Sequence, residues 1–431
     1  MQYLWQWRLY GAEDKLLADG RRVRIIDPGR LNTDAGPDFF NAKIQIDGMS
    51  WAGNVELHLR ASDWYRHGHG DDRAYDSVIL HVVGSSDTYV TRRDGSVVPQ
   101  LLLPFDDATA ERYRALSESA QPLRCHMWIR DVPRLHLADW LDAAAMERLV
   151  MKSSRVADAL RFTNGDWSQT VFITVARALG FGLNGEPMER VARSLPLSVT
   201  ARHTDSVFQL EALLMGQAGL LADNTVDDQY YLSLREEYSF LACKYTLSPM
   251  PGHVWKMSRA RPANSPYRRL AFLARLLQEG GSLLSRMLDA KGDVRTLCEI
   301  FASRLDGYWM DHYSFGARTQ RPAAQALSES MLHTLLINSA APLYHAYGAS
   351  TSAASYEELA QDLLMALPAE RNTVTRLWEQ AAGVVPANAF ESQALLQVRR
   401  EYCEQRKCMR CRLGCKMLRD SVTRCRRAGG I

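Results

Sequence analysis

Two hydrophobic rhythms divide the chain. Up to about residue 105, apolar residues fall in short runs with a period near two. From about Asp106 they recur at helical spacing. In the N-terminal stretch, Arg21–Asp27, Phe39–Asp47 and Ser50–Arg60 predict strands, and Asp47-Gly48 between the last two is a hairpin-type dipeptide. Residues 2–17, with Leu4, Trp5, Leu9, Leu16 and Leu17, predict a short amphipathic helix. Ser62 or Asp63 is placed to cap a short helix through Arg66. Ser77–Val83 (SVILHVV) is almost wholly apolar, as a strand buried on both faces would be. Thr88–Val90 and Val97–Leu103 flank Asp94-Gly95 and predict a further hairpin. Beyond them, Leu137–Leu160, Trp167–Leu179, Phe208–Leu220, Leu270–Leu288 and Met331–Ile337 predict helices, and strand signals nearly vanish. The expected fold is α+β. It has a β-rich domain over 1–105, a mainly helical region over 106–394 and a basic, Cys-rich segment over 395–431. The Pro-rich stretch 249–266 would divide the helical region into a pair of lobes.

Composition narrows the class. At 431 residues the chain can bury more than one core. Its 46% hydrophobic and 23% charged content is that of a soluble globular protein. The N-terminus lacks a basic segment followed by an apolar core, and no apolar run would span a bilayer, so a cytoplasmic protein is expected. Net charge is only +3, but it is uneven: residues 399–431 hold eleven Lys/Arg and three Asp/Glu, a net of 11 − 3 = +8. The rest then carries 3 − 8 = −5. A basic C-terminus implies an anionic partner there.

The candidate chemistry gathers in Asp34–Val83, which holds four of the eleven histidines. Alternation along a strand puts Glu56, His58 and Arg60 on one face. Asp38 stands at the mouth of the neighbouring strand. Asp38, Glu56 and the Leu57 carbonyl would hold Mg²⁺ or Mn²⁺, and His58 would act as base on the attacking water. Asp38, Glu56 and His58 are therefore the candidate catalytic residues. A turn at Gly36-Pro37-Asp38 and a solvated polar strand face account for the same residues without chemistry.

The element order, Pro37-Asp38 and Glu56-x-His58 resemble the core of the PD-(D/E)xK nuclease superfamily over roughly residues 1–105. This implies a restriction-endonuclease-like mixed sheet. Here a histidine stands where that family has lysine, which implies either an altered active site or a core that keeps only the fold. Over nearly the whole chain, GPDFFNAKI, WAGNVELH, SDWYRHGH, YDSVILHVV, WKMSRARPANSP and YCEQRKCMRCRLG are similar to an uncharacterised bacterial family, domain of unknown function 2851. That similarity implies no activity.

Two further patterns carry metal chemistry. His67-x-His69, in a Gly-rich loop, would bind zinc with His58 or His81, as in a metal-binding β-barrel of cupin type. Cys403-x4-Cys408-x2-Cys411-x3-Cys415 has ligand-like spacing for zinc or an iron–sulfur cluster, with Cys125 as an alternative to Cys415. Around it Arg406, Lys407, Arg410 and Arg412 can neutralise phosphates. Lys256, Arg259 and Arg261, with Arg268 and Arg269, form a second basic patch on a loop-like stretch. Three functions are in contention: a metal-dependent nuclease acting on DNA or RNA, a non-catalytic nucleic-acid-binding or scaffold protein, and a zinc hydrolase of a small anionic substrate.

Overall fold

The structure is a computed structural model and describes residues 1–8, 10, 13–103, 107–257, 264–320 and 322–418. It divides into two compact units. One comprises Met1–Asp131 with the described residues from Arg400 onward, and the other is Val132–Arg399. The protein is thus mixed α+β, with an N-terminal mixed sheet followed by a mostly helical region.

Seven strands build the sheet of the first unit: β1 (Lys15–Leu16), β2 (Arg22–Asp27), β3 (Arg30–Leu31), β4 (Phe39–Ile46), β5 (Met49–Arg60), β6 (Val78–Ser85) and β7 (Gln100–Leu102). Their order is β1-β2-β4-β5-β6-β7, with β3 also on β4. β2, β4 and β5 form an antiparallel meander, while β6 runs parallel to β5 and β7 parallel to β6. β5 is therefore central, which is why its residues 55–58 are buried on both faces.

Three local expectations shift. The first helix is only Gln2–Gln6, buried through Leu4 and Trp5, because Leu16 pairs with Arg22 and Leu17 bridges Leu101. Backbone pairing at the sheet edge outweighs the helical spacing. The predicted second hairpin shrinks to a Thr91–Val97 bridge around the Asp94-Gly95 turn. Gln100–Leu102 instead joins β6, whose apolar edge needs backbone partners. Ser62 precedes the helix Asp63–Arg66 without capping it, and its hydroxyl donates to Asp87 at 2.6 Å.

In the second unit, Arg134–Phe162, Trp167–Leu179, Val207–Gln217 and Glu329–Asn338 are helices, as the periodicity predicts. Asp166 and Ser206 cap the second and third. The predicted helix over 270–288 is two, Pro266–Gln278 and Leu283–Asp289, separated at Gly280 and Gly281 with φ of +66° and +74°. The stretch 249–266 lies within the unit Val132–Arg399. Trp255 is buried and donates Nε1–H to the Ala218 carbonyl at 2.9 Å, which ties it to the end of Val207–Gln217. No helix among the described residues is long and apolar enough to cross a membrane.

Candidate metal centre

Alternation on β5 sends Glu56 and His58 to the same sheet face. The parallel register of β6 sets His81 beside Glu56 on that face. The chain then returns over it through the helix Asp63–Arg66, which plants the fully buried Trp64 there. A turn with Gly68 at φ +76° follows, and its amides bond backward: His67 N–H to the Asp63 carbonyl at 2.9 Å, His69 N–H to that of Trp64 at 3.0 Å. This delivers both loop imidazoles onto β5. Tyr75 stacks on His69, with ring centroids 3.8 Å apart, and Trp64 packs edge-on against the same ring.

The result is a compact donor set. One ring nitrogen from each of His58, His67 and His69 lies within 4.8 Å of the others. His58 Nε2 is 3.2 Å from His67 Nδ1. Glu56 Oε1 lies 3.6 Å from His58 Nε2 and 3.4 Å from His69 Nε2. Ligands about 2.0–2.1 Å from a tetrahedral zinc ion stand roughly 3.3 Å apart, so these separations suit one metal ion.

Asp38 fixes the carboxylate of this set. Its N–H donates to Glu56 Oε2 at 2.9 Å, which leaves Oε1 to face the imidazoles. The Asp38 carboxylate accepts from Leu57 N–H at 3.0 Å and from the Gln2 side-chain amide. Leu57 thus meets Asp38 through its amide proton.

Burial, and then the Asp38 charge, pushes the Glu56 carboxyl up to about 8. Burial raises Asp38 as well. Burial, and then His69 and His67, lowers His58 to about 4, and burial lowers His69. The His58 imidazole is thus neutral near pH 7 and presents a lone pair, the form in which histidine binds metal. A divalent ion would reverse the penalty on Glu56.

A cavity of about 640 Å³ opens onto this set in the same unit, lined by His58, His67, Arg66, Arg114, Tyr3 and Tyr113 among others. Arg66 pairs with Asp63 at 3.0 Å, while Arg114 has no ion pair among the described residues.

The sequence-predicted residues fare differently. Asp38, Glu56 and His58 come together as expected from the strand pattern, and so do His67 and His69. His81 is a core histidine, but it also touches His58 at 2.8 Å. Trp64 and Tyr75 were not anticipated, and their place beside a histidine loop was the only sequence signal for them.

None of the seven described cysteines, four of them near the C-terminus, forms a disulfide. Cys408 and Cys411 flank a tight turn in which the Cys411 amide bonds the Cys408 and Lys407 carbonyls. Gly414 permits this, because a Cβ there would stand 2.0 Å from the Cys408 carbonyl oxygen. Burial, and then the neighbouring Cys411, Cys403 and Cys408, pushes the buried Cys125 thiol up. Cys125 therefore lies in the neighbourhood of three members of the C-terminal set. The fourth, Cys415, donates its thiol to the Met409 carbonyl at 3.2 Å. Arg406, Lys407, Arg410 and Arg412 are exposed around this turn, and Lys256 is exposed in the other unit. Arg259 and Arg261 lie outside the described residues.

No curated protein and no solved structure matches the chain. A family model described as "Protein of unknown function (DUF2851)" matches residues 1–373, which include every member of the His–Glu cluster and end before the C-terminal cysteines. The chain belongs to the DUF2851 family.

Proposed function

We propose that this protein is a divalent-metal-dependent hydrolase of phosphodiester bonds in DNA or RNA. The observation that carries the reading is the packing of the His58, His67 and His69 ring nitrogens within 4.8 Å of one another, beside the Glu56 carboxylate. Three imidazoles are a catalytic zinc set that leaves a fourth position for water. A metal bound there would acidify that water and polarise the phosphoryl oxygen. Glu56 Oε1 is placed to take the water's proton, and Asp38 holds Glu56 in that orientation. Arg66 and Arg114, on the cavity wall, would meet the phosphate, and Tyr3 and Tyr113 offer faces for bases. The phosphodiester substrate is supported by strand order: a helix, an antiparallel meander, a short helix and a parallel strand resemble the PD-(D/E)xK core.

A second reading is favoured by the Asp38–Glu56 contact. There Asp38, Glu56 and the Leu57 carbonyl hold Mg²⁺ or Mn²⁺, and His58 is the base. Substitutions separate the two. With the imidazole trio as ligands, His67→Ala and His69→Ala lose bound metal and turnover, while Glu56→Gln keeps metal and loses turnover. With the carboxylate pair as ligands, Asp38→Asn and Glu56→Gln abolish Mg²⁺-dependent cleavage, and the two loop histidines are dispensable. Salt-sensitive nucleic-acid binding without cleavage under any metal, indifferent to EDTA, would sink both and favour a non-catalytic binding or scaffold role. Cleavage confined to small phosphoesters would move the substrate class to small anions.

Cys125, Cys403, Cys408 and Cys411 are proposed to hold a second, structural centre, zinc or an iron–sulfur cluster, in a cytoplasmic setting that keeps thiols reduced. Each buried thiol is raised by desolvation, and metal ligation removes that cost by fixing it as thiolate. Arg406, Lys407, Arg410 and Arg412, with Lys256, Arg259 and Arg261, are proposed contacts to the nucleic-acid backbone.

A further inference from the structure

We propose that the helical unit carries an anion-binding pocket, in which Arg269 receives the phosphoryl or carboxylate group of a small ligand with an apolar or aromatic body. Arg268 and Arg269 are adjacent on the helix Pro266–Gln278, and both are almost wholly buried, at 2% and 3% exposure. They are satisfied very differently. Arg268 donates to the carbonyls of Trp309, His312 and Ala324 and lies over the Tyr313 ring. It is an internal strut.

Arg269 donates from Nη2 to the Asn264 side chain and, at 3.6 Å, to the Met331 sulfur. Its guanidinium sits 4.6 Å over the Phe181 ring. Its buried Nε–H has no acceptor among the described residues. Among the described residues no carboxylate pairs with it, and the nearby Arg268 charge acts against it. The neighbouring sequence 258–263, SRARPA, adds two arginines and no acid. Buried charges in folded proteins are paired or bind an ion, since an isolated one is strongly penalised. This guanidinium has a desolvated environment and no counter-charge among the described residues.

It also has room for one. Arg269 lines a cavity of about 300 Å³ in the same unit, with Asn264, Asn184, Phe181 and Trp255 among the other walls. Asn184 braces that wall by bonding the Lys256 backbone at both ends, at 2.9 and 3.1 Å. The volume stands at the lower end of the range of about 300–1,000 Å³ for ligand pockets, which suits a small ligand. A guanidinium edge prefers an oxyanion, and the Phe181 and Trp255 rings suit an apolar or aromatic body. The pocket is independent of the metal centre and of its chemistry.

The test is thermal denaturation and calorimetric titration of the full-length protein with inorganic phosphate, phenyl phosphate and benzoate. Neutral benzyl alcohol and a dithymidine phosphodiester serve as contrasts. Phenyl phosphate or benzoate should raise Tm saturably, and benzyl alcohol should not. Arg269→Met should abolish that shift while leaving the ligand-free Tm unchanged or higher, because it removes an uncompensated buried charge. Asn264→Asp supplies a fixed carboxylate, so it should abolish binding and raise the ligand-free Tm, and it carries the test should the first variant not fold. No shift with any anion, or a shift that survives both substitutions, overturns the proposal. A response to the dinucleotide alone would assign the pocket to nucleic-acid phosphate and overturn the small-ligand assignment.

Discussion

His81 braces His58 from within the sheet: His58 Nδ1 and His81 Nε2 lie 2.8 Å apart in a buried contact. Burial, and then the neighbouring imidazoles, lowers His81 to about 3, so it is neutral. A neutral imidazole donates from one nitrogen and accepts at the other. Were a metal held by His58 Nε2, Nδ1 would carry the proton and donate to His81 Nε2. The His81 proton would then sit on its own Nδ1, which has no partner among the described residues. Such outer contacts orient metal-ligating histidines. His81→Phe should therefore weaken metal binding by about 10–100-fold while the sheet persists by circular dichroism. Competition with a chromophoric chelator measures it, and an unchanged affinity would remove His81 from the site.

The cysteines can be sorted by metal content. Cys125→Ser and Cys411→Ser should each deplete the proposed C-terminal centre and lower Tm. Cys415→Ser should retain the metal, since that thiol is engaged with the Met409 carbonyl. Elemental analysis of anaerobic preparations, with an absorption spectrum, reads this out. Iron with sulfide and zinc are distinguished directly, and equal depletion by all three variants would restore Cys415 as a ligand.

Gly53 sets the approach of β5 to β6. A Cβ there would lie 2.4 Å from the Ile79 Cγ2 and 2.7 Å from the Ser77 carbonyl oxygen. Gly53→Ala should destabilise the protein by roughly 1–3 kcal/mol, because the backbone oxygen cannot move aside cheaply. It should also reduce metal affinity, since the same pairing places His81 beside Glu56. Urea titration checks the first effect, and wild-type stability would show that the strands separate without cost.

The helical unit should have a stability minimum near pH 7. Burial raises Glu211 from 4.5 to about 7, although Trp309 Nε1 and Tyr230 OH donate to it. Its contribution is complete below pH 4.5 and is lost as pH rises through about 7. Burial lowers Lys152, the ammonium of which bonds Gln393 at 2.6 Å, from 10.5 to about 7. Its contribution is complete above pH 10.5 and is lost as pH falls through about 7. Glu211→Gln should flatten the acid limb and Lys152→Met the alkaline limb, each by roughly 1–3 kcal/mol. Denaturation midpoints across roughly pH 5–10 measure both, and parallel profiles for variant and parent would refute the assignment.

What the sequence determined by itself is what depends on short-range periodicity. Alternation placed Glu56 and His58 on one strand face, and helical spacing marked Trp167–Leu179 to the residue. What depends on long-range pairing was decided only by the tertiary structure. The parallel register of β5 and β6 brought His81 to Glu56, and the turn at Gly68 carried His67 and His69 back over β5. The first unit joins Cys125 to a segment at the far end of the chain. The burial of Arg268 and Arg269, which read as a surface patch, is of the same kind. A residue's own neighbours fix which face it takes, but which distant backbone closes over that face depends on where unpaired strand edges and apolar surfaces find their partners.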